Sequence, residues 1–316
     1  MIYITHNNHF EFGWGEGKFN FYNQIGEYWM KFGRASYMPS SFRSECVRAA
    51  KLIGENANLP VLICFSGGMD SEVVVRSFQE AEIDFEVVIM NLKYDNNNNT
   101  NDYDNIYAYN YVKQHNISYR TITIDLEEYM LNNFIADAKK YKGNYLGLFI
   151  QKEIVRQFPN HHCVLGGGDI KLQRHRYNGR PDRSGLYLEE EVVSVAPMEI
   201  GYFQNRGVSN RFFMHTPELM LAWLTDPDIN HWIKREVSLV SKYGTINYYG
   251  IKAFIYTKHW SDIIDRPKYN GLEGIEFLKN QNIKNDLTDL LLVADSLNQT
   301  EIIIDYSELF NMLVPL

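Results

Sequence analysis

Residues 61–76 form a strand–turn–helix pattern that constrains the fold of this chain more than any other segment. An apolar run typical of a buried β-strand, residues 61–65, leads directly into Ser-Gly-Gly-Met-Asp-Ser at residues 66–71. A segment able to continue as a helix, residues 72–78, follows at once. Two glycines allow a tight turn, and the amide groups of a helix N-terminus favour an anion. The pattern therefore predicts a phosphate-binding turn rather than a plain connection.

The side chains of this turn suit a nucleotide that carries a metal ion. Ser66 and Ser71 have hydroxyl groups that can donate to phosphate oxygens, and Asp70 has a carboxylate that can hold Mg²⁺ on those phosphates. The spacing is neither the GxxxxGK(S/T) of a Walker loop nor the GxGxxG of a dinucleotide-binding fold. A different kind of phosphate-binding loop is therefore predicted.

The composition favours a globular protein of a reducing compartment. The 316 residues are 45% hydrophobic and 14% aromatic, which is ample for a core. A net charge of −8 argues against bulk electrostatic binding of nucleic acid, although a local basic patch could still bind it. Cys46, Cys64 and Cys163 show no disulfide or metal-ligand spacing. We find no signal peptide or membrane-spanning run, so we expect a cytoplasmic protein that does not bind membranes.

Strands and helices alternate over the middle of the chain. We predict helices over residues 42–55, 71–80, 103–115, 126–140 and 145–158, and strands over residues 61–65, 85–92, 119–124 and 163–165. Such alternation implies parallel βαβ units, in which ligands lie beyond the carboxyl ends of the strands. Ser66 and Asp169 both follow predicted strands, so they should face one crevice.

We predict an α/β fold with a parallel, doubly wound sheet and three parts. Residues 1–44 form a short aromatic arm with a β-hairpin around Gly15-Glu16-Gly17, which could cover the core, the substrate site or a second copy in a homo-oligomer. Residues 45–205 form the nucleotide-binding α/β domain. Residues 206–316 form a mostly helical region that completes the site. Its predicted helices cover residues 216–224, 228–243, 251–264 and 272–280, and residues 302–316 fit either a strand or a helix.

The turn at residues 66–71 resembles the SGGxDS loop of the PP-loop, or N-type, ATP pyrophosphatases. The flanking segments are similar to the synthetase half of asparagine synthetase and β-lactam synthetase. Residues 164–169 stand where that family has a strand ending in roughly SGEGxDE, and residues 209–219 resemble a segment like EaRxPFLD. Residues 252–272 resemble K-x-x-L-R followed by R-x-K-x-G-F. The similarity covers about residues 42–275, and only the first loop is strongly specific.

The resemblance implies an adenine nucleotide α-hydrolase-like fold and an enzyme that uses ATP and Mg²⁺. ATP would be cleaved between its α- and β-phosphates, and AMP would pass to a carboxylate or amide oxygen of a small-molecule substrate. Ammonia or an amine would then displace AMP to form an amide-type bond. The implied reaction is that of an asparagine synthetase-like ligase.

The resemblance also assigns roles to residues of this chain. Asp70 and Asp169 would hold Mg²⁺, and Asp70 and Lys252 would act in catalysis, with Lys252 stabilising the adenylating transition state. Arg266 and Lys268 would either bind phosphate or shield a helix end. The full set of implied cofactor-binding residues is Ser66, Gly67, Gly68, Asp70, Ser71, Gly166, Gly167, Arg266 and Lys268.

Several features depart from the pattern of that family. Gly167 and Ile170 stand where the family has acids, so an aspartate-binding pocket is not expected. Residues 1–44 are too few for a glutaminase, so we expect the nitrogen to come from solution, a partner or the substrate itself. A basic loop at residues 174–183 could bind an acidic or phosphorylated substrate, or could be a solvated surface loop.

Two other functions stay open on these residues. The first is a PP-loop enzyme that adenylates a nucleoside or a tRNA base for sulfur or nitrogen insertion. The basic loop favours this function, whereas the acidic balance and the absence of paired cysteines count against it, and Cys163 is expected in the core. The second is a nucleotide-binding protein with a degenerate site, which the glycine at position 167 favours.

Overall fold

A computed structural model describes the chain at residues 2–4, 10–14, 28–94, 98–141, 146–167, 174–175, 183–184, 188–191, 202–203, 206–209, 211–229, 248–266, 301–304 and 306–316. Within these ranges no helix combines the length and the apolar character needed to cross a membrane.

The elements follow one another as an α/β alternation. The strands are β1 (Ile2–Ile4), β2 (Phe10–Trp14), β3 (Tyr28–Phe32), β4 (Val61–Cys64), β5 (Phe85–Tyr94), β6 (Asn98–Asn99), β7 (Tyr119–Asp125), β8 (His162–Val164), β9 (Arg174–His175), β10 (Arg183–Ser184), β11 (Leu188–Glu191) and β12 (Glu301–Ile304). The α-helices are α1 (Phe42–Asn56), α2 (Met69–Glu80), α3 (Asp102–Gln114), α4 (Leu126–Tyr129), α5 (Ile135–Tyr141), α6 (Leu146–Gln157), α7 (Pro217–Thr225), α8 (Tyr248–His259) and α9 (Tyr306–Leu313). A π-helical turn, Met130–Phe134, joins α4 to α5, and a 3-10 turn, Phe212–Met214, precedes α7.

The central sheet has the strand order β7–β5–β4–β8, and these four strands are parallel. The short strand β6 pairs antiparallel with the end of β5. The chain runs outward from β4 through β5 to β7 and then returns to β8 on the other side of β4. A topological switch point therefore lies between β4 and β8, which is where open α/β sheets bind their ligands. The predicted α/β fold is confirmed.

Helices cover both faces of this sheet. One apolar cluster joins Ile63 and Val87 to side chains of α1, α2, α3, α7, α8 and α9. A second cluster joins Leu62 and Val88 to side chains of α4 and α6. Because neighbouring residues of a strand point to opposite faces, both faces of β4 and β5 are buried. This burial explains why the strand at residues 61–65 is uniformly apolar.

Local signals place several helix ends where the sequence predicts them. Ser41 caps α1, with its hydroxyl oxygen accepting from the backbone N–H of Ser44 at 3.1 Å. Thr216 caps α7 in the same way, accepting from Leu219 N at 3.1 Å. The predicted helix over residues 251–264 instead ends at His259. The ambiguous C-terminal stretch divides into β12, which pairs with β11, and α9. The predicted helix 272–280 and most of 228–243 lie outside the described residues.

The N-terminal arm contains three antiparallel strands in its described part. The central strand β2 pairs with both β1 and β3, and no strand was predicted at the position of β3. The predicted hairpin turn at Gly15-Glu16-Gly17 and the residues that follow it, up to residue 27, lie outside the described residues. The last part of the arm contacts the C-terminal segment, because Ala35 N donates to Leu313 O at 2.8 Å and Arg34 donates to Val314 O at 3.0 Å.

Candidate active site

Hydrogen bonds of its own two serines, Ser66 and Ser71, stabilise the loop between β4 and α2. Ser71 Oγ accepts from Ser66 N at 3.2 Å and donates to the carbonyl oxygen of Gly68 at 2.9 Å. The two hydroxyl oxygens, Ser66 Oγ and Ser71 Oγ, lie 3.0 Å apart. Because a hydroxyl has one hydrogen, and that of Ser71 goes to Gly68, Ser66 is the donor in this contact. Ser71 is buried and Ser66 is exposed, so Ser66 presents the hydroxyl that a ligand can reach.

Helix α2 begins without a side-chain cap. Its N-cap residue, Gly68, has an extended backbone with φ −72° and ψ 155°. The first N–H groups of a helix have no acceptor inside the helix, and the helix dipole places partial positive charge there. This end of α2 therefore offers the backbone donors that an anion requires.

Gly67 allows helix α3 to approach the loop closely. Its φ is +78°, and a Cβ atom at this position would lie 1.9 Å from the carbonyl oxygen of Asp104. A side chain would therefore meet both backbone strain and a backbone atom of α3. The second residue of the Ser-Gly-Gly sequence is thus a glycine for steric reasons.

The loop after β8 lies beside the first loop. A Cβ on Gly166 would sit 3.4 Å from Ser71 N, so the two loops lie side by side with little room for a side chain between them. Gly166 also forms an isolated bridge with Arg211, and Gly167 O accepts from Phe213 N at 3.2 Å. Gly166 and Gly167 therefore lie at the edge of the crevice between β4 and β8. Asp169 and Lys268 fall outside the described residues.

Asp70 connects the loop to helix α8. Its Oδ1 atom lies 2.6 Å from Nζ of Lys252 and accepts from the hydroxyl of Tyr256 at 2.7 Å. Lys252 and Tyr256 are four residues apart on α8, so they share one face of that helix. Both are buried, with exposed fractions of 4% and 1%. The sequence placed Lys252 in the site but missed Tyr256, for which its spacing from Lys252 was the available signal.

The donor atoms of this site fit a magnesium ion carried by phosphates. The Asp70 side chain is 15% exposed, and its oxygens are the hard ligands that Mg²⁺ prefers. Among the described residues, no group of three or more His, Cys, Asp or Glu could hold a metal ion. Mg²⁺ typically binds through one or two carboxylates with water and substrate phosphates. The described residues therefore fit phosphate-borne Mg²⁺ and do not form a protein cage.

Arg266 lies behind the loop. Its Nε atom donates to Gly67 O at 2.9 Å, and its Nη2 atom donates to Glu72 Oε2 at 2.6 Å. The other oxygen of Glu72 accepts from Nε and Nη2 of Arg76 at 2.9 and 2.7 Å. Arg76 in turn donates to both oxygens of Asp262 at 2.8 Å. Sequence reasoning missed Glu72, Arg76 and Asp262. The i, i+4 spacing of Glu72 and Arg76 was an available signal for that pair, whereas nothing local marks Asp262 as a partner.

The cysteines do not form a reactive centre in the described structure. Cys46, Cys64 and Cys163 are free thiols, and Cys46 and Cys163 are buried. Burial raises the pKa of the Cys163 thiol to about 12 and also raises the pKa of Cys64. The thiolate, which is the nucleophilic form, is therefore disfavoured. The prediction that Cys163 belongs to the core is confirmed.

Of the basic loop at residues 174–183, the structure describes only the residues that belong to the strands β9 and β10. The strand β9 pairs antiparallel with β10, so that His175 lies opposite Arg183 and Arg174 lies opposite Ser184. Arg176 and Arg180 lie outside the described residues.

Comparisons with known proteins give distant structural likenesses. An NMN synthetase from Francisella tularensis is 18% identical over 42% of this chain and 56% of its own, with a TM-score of 0.27. A U34-tRNA thiolase from Methanococcus maripaludis is 17% identical over 40% of this chain and 46% of its own, with a TM-score of 0.29. An NH3-dependent NAD synthetase from Campylobacter jejuni is 12% identical over 79% of this chain and 94% of its own, with a TM-score of 0.31.

This chain thus spans about half the length of the first two proteins. No protein-family model matches the chain, and no curated protein matches it. At these identities and TM-scores, the three likenesses say nothing about the reaction. The residues of this chain must carry any assignment of function.

Proposed function

We propose that this protein is a PP-loop enzyme that transfers AMP from ATP to an oxygen atom of its substrate and releases pyrophosphate. The main support is the contact between Lys252 and Asp70. A buried ammonium group on α8 meets a carboxylate of the glycine loop, although these two segments are far apart in the sequence. The helix dipole disfavours a cation at a helix N-terminus, so a lysine held there by Asp70 is well placed to act on bound phosphates.

The position of the loop gives independent support. Ser66 lies at the carboxyl end of β4, beside the switch point between β4 and β8. In the proposed complex, the exposed Ser66 hydroxyl turns its hydrogen from Ser71 Oγ to a pyrophosphate oxygen, and the first amide groups of α2 also donate to pyrophosphate oxygens. Asp70 and Asp169 would hold Mg²⁺, which supplies positive charge to the triphosphate when it is bound.

The proposed reaction has two displacement steps. A carboxylate or amide oxygen of the substrate attacks the α-phosphorus, and the bond from that phosphorus to the bridging oxygen breaks, so pyrophosphate leaves. Ammonia or an amine then attacks the activated carbon, and AMP leaves with the oxygen atom. The ammonium group of Lys252 would stabilise the negative charge that builds up on the phosphates in the first step. The protein mainly positions the reactants and neutralises charge.

Release of pyrophosphate tests this proposal. The protein is incubated with Mg²⁺, ATP and a panel of small carboxylic acids, with and without ammonia, and both pyrophosphate and AMP are measured. We expect at least one acid to give equal amounts of both products. Asp70→Asn should abolish this turnover while the far-ultraviolet circular dichroism spectrum stays unchanged. Intact ATP with every acid, together with no calorimetric signal for ATP binding, would overturn the proposal.

A matched pair of lysines tests the role of Lys252. Lys252→Met should remove turnover, because the substitution deletes the ammonium group beside Asp70. Lys258 lies on the same helix, but it pairs with Asp226 and Asp228. Lys258→Met should therefore leave turnover within about threefold of the unsubstituted protein, a change below 1 kcal/mol in activation free energy. An equal loss of turnover in both variants would show that Lys252 affects turnover only by stabilising the folded protein.

The second candidate is the adenylation of a nucleoside or tRNA base, which the basic residues of β9 and β10 favour. The buried thiol of Cys163 counts against a persulfide at that residue. RNA that co-purifies with the protein would support this function. Turnover retained in Cys163→Ala would exclude sulfur transfer through that thiol. Tight ATP binding without any turnover would instead identify a degenerate nucleotide-binding site.

A further inference from the structure

Arg266 is engaged on several sides by groups of the protein. In addition to its bonds with Gly67 and Glu72, its Nη1 atom donates to Ile264 O at 3.0 Å. The guanidinium carbon lies 4.5 Å from the centre of the Tyr107 ring on α3. The side chain is buried, with 5% of the residue exposed. The planar fork of an arginine can make such contacts at the same time, which a lysine cannot do.

The anchor of Arg266 is an electrically balanced cluster that is buried except at Asp262, whose side chain is 64% exposed. Glu72 lies between Arg266 and Arg76, and Arg76 also binds Asp262. Two carboxylates and two guanidinium groups cancel in formal charge, and buried charges persist when they are paired in this way. Glu72 is 4% exposed and Arg76 is 8% exposed. Arg266 is therefore fixed with respect to α2, and it can hold the loop in front of it.

The bond from Arg266 to Gly67 O determines the orientation of one peptide group. The carbonyl of Gly67 and the N–H of Gly68 belong to the same planar trans peptide, so they point in opposite directions. With the carbonyl held by Arg266, the Gly68 N–H points toward Ser66 Oγ, at a nitrogen-to-oxygen distance of 3.4 Å. Since Ser66 is the exposed hydroxyl of the loop, this N–H lies on the side from which a ligand arrives.

The opposite orientation of this peptide would be unfavourable for an anion. A rotation of the peptide would replace an N–H donor with a carbonyl oxygen on the ligand side, and two negative groups would then face each other. Glycine on both sides of a peptide removes most of the steric barrier to such a rotation. The two glycines make the tight turn possible, but by themselves they do not determine which way the N–H of the Gly67–Gly68 peptide points.

We propose that Arg266 is a positioning residue that locks the Gly67–Gly68 peptide with its N–H toward the ligand. Arg266 thereby keeps the loop in its anion-binding form before the nucleotide arrives. The inference rests on the proposed function for the identity of the anion. It assigns Arg266 to the back of the loop, in contact with protein atoms, rather than to the phosphates themselves.

Two arginines of the same cluster provide a matched test. Arg266→Gln removes the contact with Gly67, whereas Arg76→Gln disturbs the cluster without touching Gly67. Calorimetry with Mg²⁺ and inorganic pyrophosphate, and separately with ATP, gives the affinity of each variant. We expect Arg266→Gln to weaken both ligands by about tenfold or more, which corresponds to the loss of one charge-assisted hydrogen bond. Arg76→Gln should weaken them by less than about threefold at a similar loss of thermal stability.

A crystal structure of ligand-free Arg266→Gln shows the orientation of the Gly67–Gly68 peptide directly. We expect the Gly67 carbonyl to turn toward the side of Ser66. Arg266→Lys retains a cationic donor, so it should recover part of the affinity and keep the peptide in its original orientation. Arg266→Met, which also lacks the guanidinium group, replaces the glutamine variant in both measurements if that variant does not fold. Unchanged affinity, or an affinity loss with the peptide in its original orientation, would overturn the proposed lock.

The same data separate this inference from the proposed function. If the unsubstituted protein binds neither pyrophosphate nor ATP, the proposed function fails. The orientation of the Gly67–Gly68 peptide in the variant crystal still decides whether Arg266 controls it. A rotated peptide would support the lock, and an unrotated one would contradict it.

Discussion

Three side chains from two helices meet at a single carboxylate oxygen. Asp70 belongs to α2, and Lys252 and Tyr256 belong to α8. Burial of a lysine ammonium costs several kcal/mol unless a counter-charge is present, and Asp70 provides that charge. The ring of Tyr256 stacks on Phe42 and Phe213, with centroid distances of 6.0 and 6.1 Å, which fixes its hydroxyl. The carboxylate of Asp70 is thus oriented by packed side chains before any ligand binds.

Tyr256→Phe tests the role of this hydroxyl. The change removes one hydrogen bond to a carboxylate, so we expect the free energy of unfolding to fall by about 1–2 kcal/mol. We also expect the rate of pyrophosphate formation to fall by about tenfold, because Asp70 gains freedom to rotate. Urea unfolding and the pyrophosphate assay measure the two effects.

The control for this prediction is Tyr129→Phe. The hydroxyl of Tyr129 donates to Phe149 O at 3.1 Å in the second apolar cluster, away from the loop. This variant should lose comparable stability and keep its rate. Equal rates in both tyrosine variants would show that the Tyr256 hydroxyl is purely structural.

Two glycines with left-handed backbones test the packing of the loop. Gly67 and Gly207 have φ values of +78° and +64°, but a Cβ at Gly207 would meet nothing within 4 Å. Gly207→Ala should therefore cost about 1 kcal/mol, the penalty for a left-handed alanine. Gly67→Ala should cost at least about 3 kcal/mol more, since it drives a methyl group into Asp104 O and so distorts a closely packed interior. Thermal unfolding of both variants measures the difference, and similar costs would contradict the contact between the loop and α3.

At the scale of the elements, α7 and α8 are joined by a charged cluster at their C-terminal ends. Asp226 caps α7 and is 5% exposed. Its carboxylate lies 2.9 Å from Nζ of Lys258 and 3.2 Å from Nε2 of His259. Both partners belong to the last turn of α8, where the ammonium group of Lys258 also complements the helix dipole. This cluster holds the helix that carries Lys252 against its neighbour.

The stability of the protein should therefore depend on pH in the acidic range. Burial raises the pKa of Asp226, but hydrogen bonds from His259 and Lys258 lower it further. The resulting pKa is about 2, below the ordinary value of 3.8. A depressed pKa stabilises the folded state above the unfolded value, and that contribution is lost as pH falls from about 4 to about 2. We expect a loss of about 2 kcal/mol from this residue over that window.

Asp226→Asn is the test of this pH dependence. Urea unfolding of both proteins between pH 2 and pH 5 measures the free energy of unfolding at each pH. The variant lacks the titrating carboxyl group, so the difference in stability between the two proteins should shrink as pH falls. A difference that stays constant over this range would contradict the assignment.

The sequence was sufficient to predict most of the α/β elements. Apolar periodicity and caps such as Ser41 act within one segment, so α1, β4, α2 and β5 were predicted to within a few residues. No strand or helix was predicted for the polar run at residues 96–101. In the structure, Asn101 and Asn105 donate to Met90 O, which ties α3 to the end of β5. Such contacts depend on tertiary neighbours that local patterns do not reveal.

In the candidate site, too, the features set by local sequence were predicted and those set by tertiary contacts were not. The glycine loop was visible because all six of its positions are consecutive in the sequence. Lys252 and Arg266 were found only through a resemblance, and the hydroxyl of Tyr256 was missed. Arg266 meets the loop across 199 positions of sequence, and nothing near it indicates Gly67 as its partner. Pairings of this kind require the fold itself.

At the scale of the whole molecule, the candidate site depends on contacts between distant parts of the chain. The sheet supplies two adjacent strand ends, β4 and β8, and the helices that follow residue 216 cover one face of it. Ser36 N and Oγ both donate to Glu218 Oε1 at 2.7 Å, which links the last part of the arm to α7. We propose that residues 206–316 complete the active site, because α8 brings Lys252 to the loop of the α/β domain.

A crystal structure of the protein with Mg²⁺ and an ATP analogue that has a methylene bridge between its α- and β-phosphates tests the central claim most directly. We expect the β- and γ-phosphates to bind at residues 66–71, the metal to contact Asp70 and Asp169, and Lys252 to lie beside the α-phosphate. Phosphates bound away from this loop, or an Asp169 side chain far from it, would contradict the assignment of the protein as an adenylating enzyme.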